Sequence, residues 1–554
     1  MDHLSTLVST GFQIGTTSLA SSLSLSKYVL LAVDAILGNN ETSKAVAAVA
    51  LLVHRHYSGA DTSSSDVGAE RLGLSEFLVG TAGFALLQGW SRAQTRQTWQ
   101  DEHVEEVIWR CPGHGPPKFH DSSLDDVCRY ARFAIASYGN TYLSLTGSAT
   151  AASAEPFVHG SAAGLPSHHG FSHYTDVPAS SILLSSYIDS HGTPRPAAGD
   201  RGGGPDLPLT YYISLDHASR AVVLTCRGTL GFEDVLTDMI CDSAALAWDG
   251  ADHLVHRGIL ASARRLLTLR DACVPRTIGD ALAAHPDYRL VLCGHSLGGG
   301  VATVLGLLLA QPHGDDTDSP YATASVSCAA VHIPADRPLH VYAYGPAATL
   351  SPALQLASRG LVTTIIHGAD TVPALSLGNL ADMQRVALAF RGGPGDAPDN
   401  NRDGGDDGRT PLTLRTRVLA ALRTRAARWS RAATLDAMLP PRWRALGTGG
   451  PEEPGWAWRE LQALRRGMTA PKLVPGGRVY VIERGPRTDG GRDGAAGAGE
   501  ADDVLSLTVT HVRDVAERFR ELRVEGGMIT DHLPVAYERV LQRLQRMAGE
   551  LVDA

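Results

Sequence analysis

The residues with the clearest capacity for chemistry form a G-x-S-x-G pattern, Gly294-His295-Ser296-Leu297-Gly298. A short apolar run before the pattern predicts a buried strand, and a longer apolar run after it, 301–310, predicts a buried helix. A serine on a sharp turn between strand and helix presents its hydroxyl, and flanking glycines remove the Cβ atoms that would clash. We therefore predict that Ser296 is a nucleophile on such an elbow. A glycine-rich helix start with an N-cap serine is the alternative.

A serine hydroxyl becomes an effective nucleophile when a base accepts its proton and an acid orients that base. Downstream of Ser296, Asp370 follows the β-branched run 362–367 and is expected on a loop at a strand end. His532 precedes the last predicted helix. We predict Asp370 as the acid and His532 as the base, and this chain order is typical of α/β-hydrolases.

Other acids and histidines downstream of Ser296 compete for these roles. His367 lies at the end of a predicted strand and is too close to Asp370 along the chain to reach Ser296. His511 lies within another predicted element. Asp382 and Asp531 are the rival acids, and Asp531 is better explained as a cap of the final turn.

Two backbone amides are expected to stabilise the negative charge that develops on an attacked carbonyl oxygen. The amide of Leu297 lies at a helix N-terminus, where unpaired N–H groups and the helix dipole favour an anion. The second donor should lie on a loop after a neighbouring strand, and Thr229 follows the predicted strand 221–226. A plain strand-ending turn is the alternative for that loop.

The elements that must position these residues alternate between strands and helices from residue 209 onward. This alternation predicts a mainly parallel central sheet, whose strand ends bring Thr229, Ser296 and Asp370 to one edge. Together with the chain order of Ser296, Asp370 and His532, it indicates an α/β-hydrolase fold with a mainly parallel central sheet. Four regions are expected along the chain. They are an N-terminal helical region at 1–125, the first part of the core at 126–390, an insert with low-complexity, partly disordered loops and an Arg-rich helical segment at 391–503, and the C-terminal part of the core with His532 at 504–554.

Composition and residue spacing bear on the partners, the redox compartment and the metal content of this protein. The 58 acidic residues outnumber the 49 basic ones, so a nucleic-acid partner is not expected. The seven cysteines are odd in number and lack a C-x-x-C pair, which favours a reducing compartment. The histidines in 159–173 lack the spacing of a ligand set, so no metal site is predicted.

The N-terminal region bears on localisation. It lacks the basic start of a signal peptide, and no apolar run reaches the roughly 18 residues of a transmembrane helix. The shorter apolar segments 28–37, 45–53 and 77–87 are predicted as core helices, with docking on a membrane surface as the alternative. We expect a cytoplasmic-side protein that is peripherally associated with a membrane.

These motifs together resemble the class 3 lipases, and within them the diacylglycerol lipases. The segments that carry the resemblance are 211–217, 222–229 with Asp234 and Asp238, 256–258, 294–298, 342–346, 370–373, and 531–534 with Tyr537. The resemblance implies a serine lipase that hydrolyses a glycerolipid ester, foremost diacylglycerol, with the triad Ser296, Asp370 and His532 and the oxyanion donors Thr229 and Leu297. Phospholipase A1 or triacylglycerol lipase activity is the alternative. A catalytically inactive lipid-binding scaffold is the alternative from another class.

The resemblance also implies a lid after the strand that carries the oxyanion loop. Segment 230–255 fits that place, and its apolar residues able to cover the site are Leu236, Met239, Ile240, Leu246 and Trp248. No cofactor is expected; some relatives respond to calcium, but the acidic loop 404–408 is too rich in glycine for a calcium site. The glycerolipid would be met at a membrane or lipid-droplet surface. The chain departs from the family by Gly231, where many relatives have serine, and by the long insert between Asp370 and His532.

Overall fold

The structure, a computed structural model, describes part of the chain in detail. The described residues are 40–58, 72–94, 104–111, 116–120, 122–139, 166–186, 209–229, 242–268, 273–311, 325–326, 332–335, 337–391, 414, 417–418, 455–484 and 506–550. The chain divides into two compact units. The helical unit comprises Met1–Asp101, Gly378–Pro471 and Arg520–Ile529, and the sheet unit comprises Glu102–Leu377, Lys472–Phe519 and Thr530–Ala554.

The sheet unit is built on one large mixed sheet. Its strands are β1 (Glu105–Arg110), β2 (Ile182–Ser185), β3 (Tyr211–Asp216), β4 (Ala221–Cys226), β7 (Arg289–His295), β10 (Leu339–Tyr344), β11 (Val362–His367), β12 (Arg478–Arg484) and β13 (Leu507–Val512). Two short ribbons are separate from this sheet. In one, β5 (Ser243–Trp248) pairs with β6 (Ala251–His256), and in the other, β8 (Ala310–Gln311) pairs with β9 (Ser325–Val326). The spatial order of the large sheet is β1-β13-β12-β11-β10-β7-β4-β3-β2.

The centre of this sheet is parallel and its margins are antiparallel. Strands β4, β7, β10, β11 and β12 pair in parallel, whereas β2, β3, β13 and β1 pair antiparallel to their neighbours. Every residue of β4 and of β11 is buried. Such continuous apolar, β-branched strands are expected where helices cover both faces of a sheet. Together with the elbow described below, this topology confirms the predicted α/β-hydrolase fold.

Helices lie on both faces of the large sheet. The helices of the sheet unit are α3 (Leu124–Ala136), α4 (Pro166–Thr175), α5 (Arg257–Thr268), α6 (Cys273–Ala284), α7 (Leu297–Leu309), α8 (Pro352–Ala357), α11 (Val515–Arg518) and α12 (Pro534–Glu550). Helices α3 and α12 pack with Tyr342, Ile365 and Tyr480 in one apolar core. Helix α7 packs on β7 and β10, and nearly all of its residues are buried. A helix that is apolar on every side is expected in such a position.

The helical unit contains α1 (Asn40–Ser58), α2 (Leu74–Gln94), α9 (Leu377–Arg391, from residue 378) and α10 (Trp456–Gly467). A Cβ at Gly80 or at Gly83 of α2 would overlap Ala387 or Phe390 of α9, so these glycines permit close packing of the two helices. The amide of Gln88 donates to Glu521 and to the carbonyl of Leu522, and Arg465 pairs with the same Glu521. These bonds tie the segment 520–529 to α2 and α10.

One part of the predicted helical region 1–125 differs from the structure. Residues 105–110 of this region form strand β1, which pairs with β13. Val107, Ile108 and Trp109 are β-branched or aromatic residues, which favour strands when a partner strand is available.

The predictions for the apolar segments of the N-terminal region have different outcomes. Segments 45–53 and 77–87 lie in α1 and α2, and most of their apolar side chains are buried, Phe77, Phe84 and Leu87 among them. Segment 28–37 lies outside the described residues, as does most of the region 391–503. In the part of the chain that the structure describes, no helix combines the length and the apolar character needed to cross a membrane. The four-region division of the chain stays a prediction.

Candidate active site

Ser296 lies on a strained turn between β7 and α7. Its backbone has φ 57° and ψ −128°, a conformation that L-residues rarely adopt. The amide of Ser296 donates to the carbonyl of Tyr344, and that of Gly300 donates to the carbonyl of Ser296. A Cβ at Gly298 would overlap the carbonyl oxygen of Cys226 on β4, and one at Gly294 would overlap Gly298. The glycines of the pattern therefore allow two backbone segments to touch, which is the predicted geometry of a nucleophile elbow.

Asp370, His532 and Ser296 lie in one hydrogen-bonded line. Nε2 of His532 is 2.9 Å from Oγ of Ser296, and Nδ1 of His532 is 2.9 Å from Oδ2 and 3.0 Å from Oδ1 of Asp370. All three side chains are buried, with relative exposures of 0% for Ser296, 5% for His532 and 6% for Asp370. A carboxylate at Nδ1 holds the proton there, so Nε2 is left to accept the serine proton.

Each member of the line comes from a different strand end or turn. Asp370 follows β11, Ser296 follows β7, and His532 lies in the 3₁₀ turn Thr530–His532 before α12. The parallel strands place their carboxyl ends at one edge of the sheet, which is why residues far apart in the chain meet there. The structure brings together the three residues that the sequence analysis nominated, and their catalytic roles stay a prediction.

Two further donors hold the carboxylate of Asp370. The amide of Val372 donates to Oδ1 at 2.9 Å, and the hydroxyl of Tyr537 donates to Oδ2 at 2.6 Å. Burial and the neighbouring Asp370 raise the pKa of Tyr537 well above its usual value, so the phenol stays protonated and acts as a donor. Tyr537 was noted from the sequence only as part of a motif, and its contact with the acid was not foreseen.

Most of the residues that compete for the roles of acid and base form hydrogen bonds outside the line of Asp370, His532 and Ser296. Nδ1 of His367 is 3.3 Å from the carbonyl oxygen of Asp531, and burial lowers the pKa of His367 to about 4. Asp531 was expected to cap the final turn. Its Oδ2 accepts a hydrogen bond of 2.9 Å from the amide of Ala369, so it secures the loop that carries Asp370. Asp382 bonds to Arg385 and to the amide of Ala470 in the helical unit.

The residues predicted as oxyanion donors lie in the elbow and in the segment that follows β4. Leu297 is buried and is the first residue of α7. Thr229 lies in the described residues 227–229 after β4, which form no helix or strand. Gly228 in this loop lies against the elbow, because a Cβ there would lie 2.5 Å from the carbonyl oxygen of His295 and 2.9 Å from Cβ of Ser296. The loop therefore runs directly beside the nucleophile.

The position of His295 involves a residue that sequence reasoning did not single out. Nδ1 of His295 is 2.8 Å from the hydroxyl of Tyr138, which follows α3. The His295 ring also lies 4.8 Å from the His532 ring and 5.2 Å from the Tyr537 ring, measured between centroids. No local sequence signal indicates this contact, because 157 residues separate Tyr138 from His295.

The lid candidates are only partly within the described residues. Leu236, Met239 and Ile240 lie outside them. Leu246 and Trp248 belong to strand β5 of the β5–β6 hairpin, where Leu246 is buried and Trp248 is partly exposed. The assignment of a lid stays a prediction.

The histidine-rich stretch 159–173, for which no metal site was predicted, overlaps helix α4. Nε2 of His168 lies 2.8 Å from the hydroxyl of Ser185, and His168 is buried. Within the described ranges, no three His, Cys, Asp or Glu side chains are grouped so that they could hold a metal ion.

Known proteins resemble this chain in the region of the site. The family model "Lipase (class 3)" matches residues 223–379. Diacylglycerol lipase-beta of Mus musculus is 31% identical over 183 residues, which cover 32% of this chain and 24% of the relative. Diacylglycerol lipase-alpha of Homo sapiens is 30% identical over 184 residues, which cover 32% of this chain and 16% of the relative. The chain thus spans about a quarter of the length of these relatives or less.

Solved structures of fungal lipases also match. The Rhizomucor miehei lipase propeptide complex aligns with a TM-score of 0.29 at 15% identity, and the alignment covers 46% of this chain and 64% of the lipase chain. Lipase II from Rhizopus niveus aligns with a TM-score of 0.29 at 17% identity, and the alignment covers 46% of this chain and 76% of the lipase chain. The family match includes the elbow serine and the strand-end Asp370, and His532 lies beyond it. Residues 223–379 are therefore similar to the class 3 lipases, and the chain is similar in sequence to diacylglycerol lipases.

Proposed function

We propose that this chain is a serine lipase that hydrolyses an ester bond of a glycerolipid, with diacylglycerol as the expected substrate. The observation that carries the proposal is the buried line from Asp370 through His532 to Oγ of Ser296, with both hydrogen bonds at about 2.9 Å. The similarity to diacylglycerol lipases supports the choice of substrate class.

In the first half-reaction, Oγ of Ser296 attacks the ester carbonyl carbon while its proton passes to Nε2 of His532. The carbonyl π electrons move to the oxygen, and the amides of Leu297 and Thr229 bind the resulting oxyanion. The positive charge on His532 is balanced by Asp370. When the tetrahedral state collapses, the bond to the glycerol oxygen breaks, and this oxygen takes the proton from His532.

In the second half-reaction, water replaces the alcohol. His532 accepts a proton from water as its oxygen attacks the acyl carbon, and a second tetrahedral oxyanion forms at the same amides. Collapse releases the fatty acid, and the proton returns from His532 to Oγ of Ser296. The sum is one ester and one water converted to one alcohol and one fatty acid.

The proposal also concerns where the substrate is met. A glycerolipid with long acyl chains resides in a membrane or a lipid droplet, so we propose peripheral contact with such a surface on the cytoplasmic side. The triad side chains are almost fully covered. A movable cover over the site, for which segment 230–255 is the candidate, would admit the lipid and exclude bulk water during acyl transfer.

The test is release of fatty acid from diacylglycerol in mixed micelles by the purified full chain, with Ser296→Ala beside it. Wild type should release fatty acid and Ser296→Ala should not, while both show the same far-UV circular dichroism and melting. Full activity in Ser296→Ala would overturn the assignment of the nucleophile. A parallel panel with a phospholipid and a triacylglycerol decides between diacylglycerol lipase and the alternatives, phospholipase A1 and triacylglycerol lipase.

A catalytically inactive lipid-binding scaffold is the competing function from another class. A fluorophosphonate probe separates the two, because it labels a serine only when a neighbouring base activates it. Labelling of wild type but not of Ser296→Ala supports the hydrolase. A wild type that binds diacylglycerol micelles but resists the probe and releases no fatty acid would favour the scaffold.

A further inference from the structure

Tyr138 follows the C-cap residue Ser137 of α3, and its side chain is buried beside the elbow. Its hydroxyl is 2.8 Å from Nδ1 of His295, and the two rings meet edge to face with their centroids 5.7 Å apart. A Cβ at Gly228 would overlap the same hydroxyl. The hydroxyl of Tyr138 therefore touches both the residue before the nucleophile and the loop that leads to Thr229.

Gly228 is closely packed. The hydroxyl of Tyr138, the carbonyl oxygen of His295 and Cβ of Ser296 are the three atoms nearest to the place that a Cβ of Gly228 would take. Protein interiors are close-packed, so we expect the loop to shift when one of these contacts is removed. The amide of Thr229 is attached to this loop and would move with it.

His295 faces the base as well as Tyr138. Its ring lies 4.8 Å from the His532 ring, and among the described residues its Nε2 has no hydrogen-bond partner. Burial first, and the neighbouring His532 second, lower the pKa of His295 well below its usual value. His295 is therefore neutral, and it adds no repulsion when His532 acquires a positive charge during catalysis.

The contact with Tyr138 orients the ring of His295. Nδ1 is the ring nitrogen that Tyr138 engages. A neutral imidazole has one N–H, so in the tautomer with its proton on Nε2 the hydroxyl of Tyr138 donates to Nδ1. This hydroxyl thus fixes the orientation of the ring beside the base.

Resting on the proposed function, we propose that Tyr138 is a positioning residue of this active site: its hydroxyl holds the Thr229 loop against the elbow and fixes His295 beside His532. In this role Tyr138 acts through His295 and through the Thr229 loop. Because the Thr229 amide binds charge that exists only in the tetrahedral state, losing this hydroxyl should weaken that state more than it weakens substrate binding.

The test compares Tyr138→Phe with wild type in the full chain. Tyr130→Phe is the matched control, because Tyr130 lies in α3, is buried, and directs its hydroxyl to Ser219 and Arg289 rather than to the elbow. Four quantities are measured with a diacylglycerol substrate and its analogues. They are kcat, KM, the inhibition constant of a trifluoromethyl ketone analogue, and the inhibition constant of a non-hydrolysable ether analogue.

The ketone reports on the tetrahedral state. Oγ of Ser296 adds to its carbonyl carbon, the carbonyl π bond opens to an oxyanion, and the serine proton passes to His532. In Tyr138→Phe we expect kcat to fall about tenfold and the ketone inhibition constant to rise by about the same factor. KM and the ether inhibition constant should stay within about twofold of wild type, and Tyr130→Phe should match wild type in all four.

An unchanged ketone inhibition constant in Tyr138→Phe would overturn the inference, even if the variant melted at a lower temperature, because the residue would then act on stability alone. An equal loss in Tyr130→Phe would overturn it too. If wild type itself neither hydrolysed the ester nor bound the ketone, the proposed function would fail and this inference with it. The measurements on wild type therefore distinguish failure of the proposed function from failure of the inference about Tyr138.

Discussion

The hydroxyl of Tyr537, on the closing helix α12, donates a hydrogen bond of 2.6 Å to Oδ2 of Asp370, on the loop after β11. The same oxygen atom of Tyr537 accepts a hydrogen bond of 3.1 Å from the amide of His367. One phenol thus connects the acid of the candidate triad to the strand that precedes it. Helix α12 also follows His532 directly, so the acid and the base are anchored by the same helix.

The first prediction concerns this phenol. Tyr537→Phe should lower kcat about tenfold and lower the melting temperature, because a hydrogen bond to a charged group contributes roughly 1.5–3 kcal/mol and the amide of His367 loses its acceptor. Turnover and thermal unfolding measure the two effects. Tyr480→Phe is the control, since this buried phenol contacts His120 and lies outside the triad. Equal kcat values in Tyr537→Phe and wild type would contradict the prediction.

The second prediction concerns Asp531, the residue before the base. Asp531→Ala removes the acceptor for the amide of Ala369 and should loosen the loop that carries Asp370. A lost hydrogen bond of about 1 kcal/mol corresponds to a kcat about fivefold lower. Asp531→Asn retains an acceptor oxygen and should recover most of that loss. The prediction is wrong if the alanine variant turns over as fast as wild type, or if asparagine behaves no better than alanine.

The third prediction concerns the close approach of β4 to the elbow. In Gly298→Ala the new Cβ would overlap the carbonyl oxygen of Cys226, and relief of that overlap must displace the loop to Thr229. Overpacking of this kind costs about 1–3 kcal/mol, so we expect lower stability and at least a tenfold loss of turnover.

Gly549→Ala is the matched control for that change. Gly549 lies in α12 and has open space around its Cβ position, so alanine should be neutral or stabilising by up to about 1 kcal/mol. Both variants are compared by urea unfolding and ester turnover. A fully active and stable Gly298→Ala would show that the loop does not depend on this contact.

The fourth prediction concerns stability in mild acid. Burial, as the main cause, lowers the pKa of His367 and of His511 to about 4. Unfolded histidine titrates near 6.5, so between about pH 6.5 and 4 the unfolded chain binds more protons than the folded chain. The free energy of unfolding should therefore fall as the pH falls through this window, by up to about 1.4 kcal/mol per pH unit for each histidine.

Urea unfolding between pH 7.5 and 5 measures this dependence, above the range in which most carboxylates titrate. His511→Gln is the informative variant, because both ring nitrogens of His511 lack a hydrogen-bond partner within the described residues and its removal breaks no such bond. The variant should show a shallower pH dependence than wild type. Identical slopes, or a wild-type stability that does not change with pH, would refute the prediction.

The local sequence was sufficient for the elbow and for the parallel core. The pattern around Ser296 and the apolar strand before it are consecutive in the chain. Glycine at 294 and 298 lacks the Cβ that would clash on a sharp turn, so its role could be inferred from the local sequence. The alternation of strands and helices was likewise visible, since strands buried on both faces are continuously apolar. Strand β1 was missed, because an edge strand depends on its partner, here β13, more than on its own residues.

The acid and the base could be nominated from their places after a strand and before a helix, but 162 residues separate Asp370 from His532. Their contact is a product of the sheet order, which the sequence alone does not specify. The same holds for Tyr537 at Asp370, Asp531 at Ala369 and Tyr138 at His295, where each partner is distant in the chain. The sequence by itself identified the residues whose side chains could serve as nucleophile, acid and base. Tertiary structure alone decided which side chains hold them in place, because those contacts arise only when separate strand ends and helices pack at one edge of the sheet.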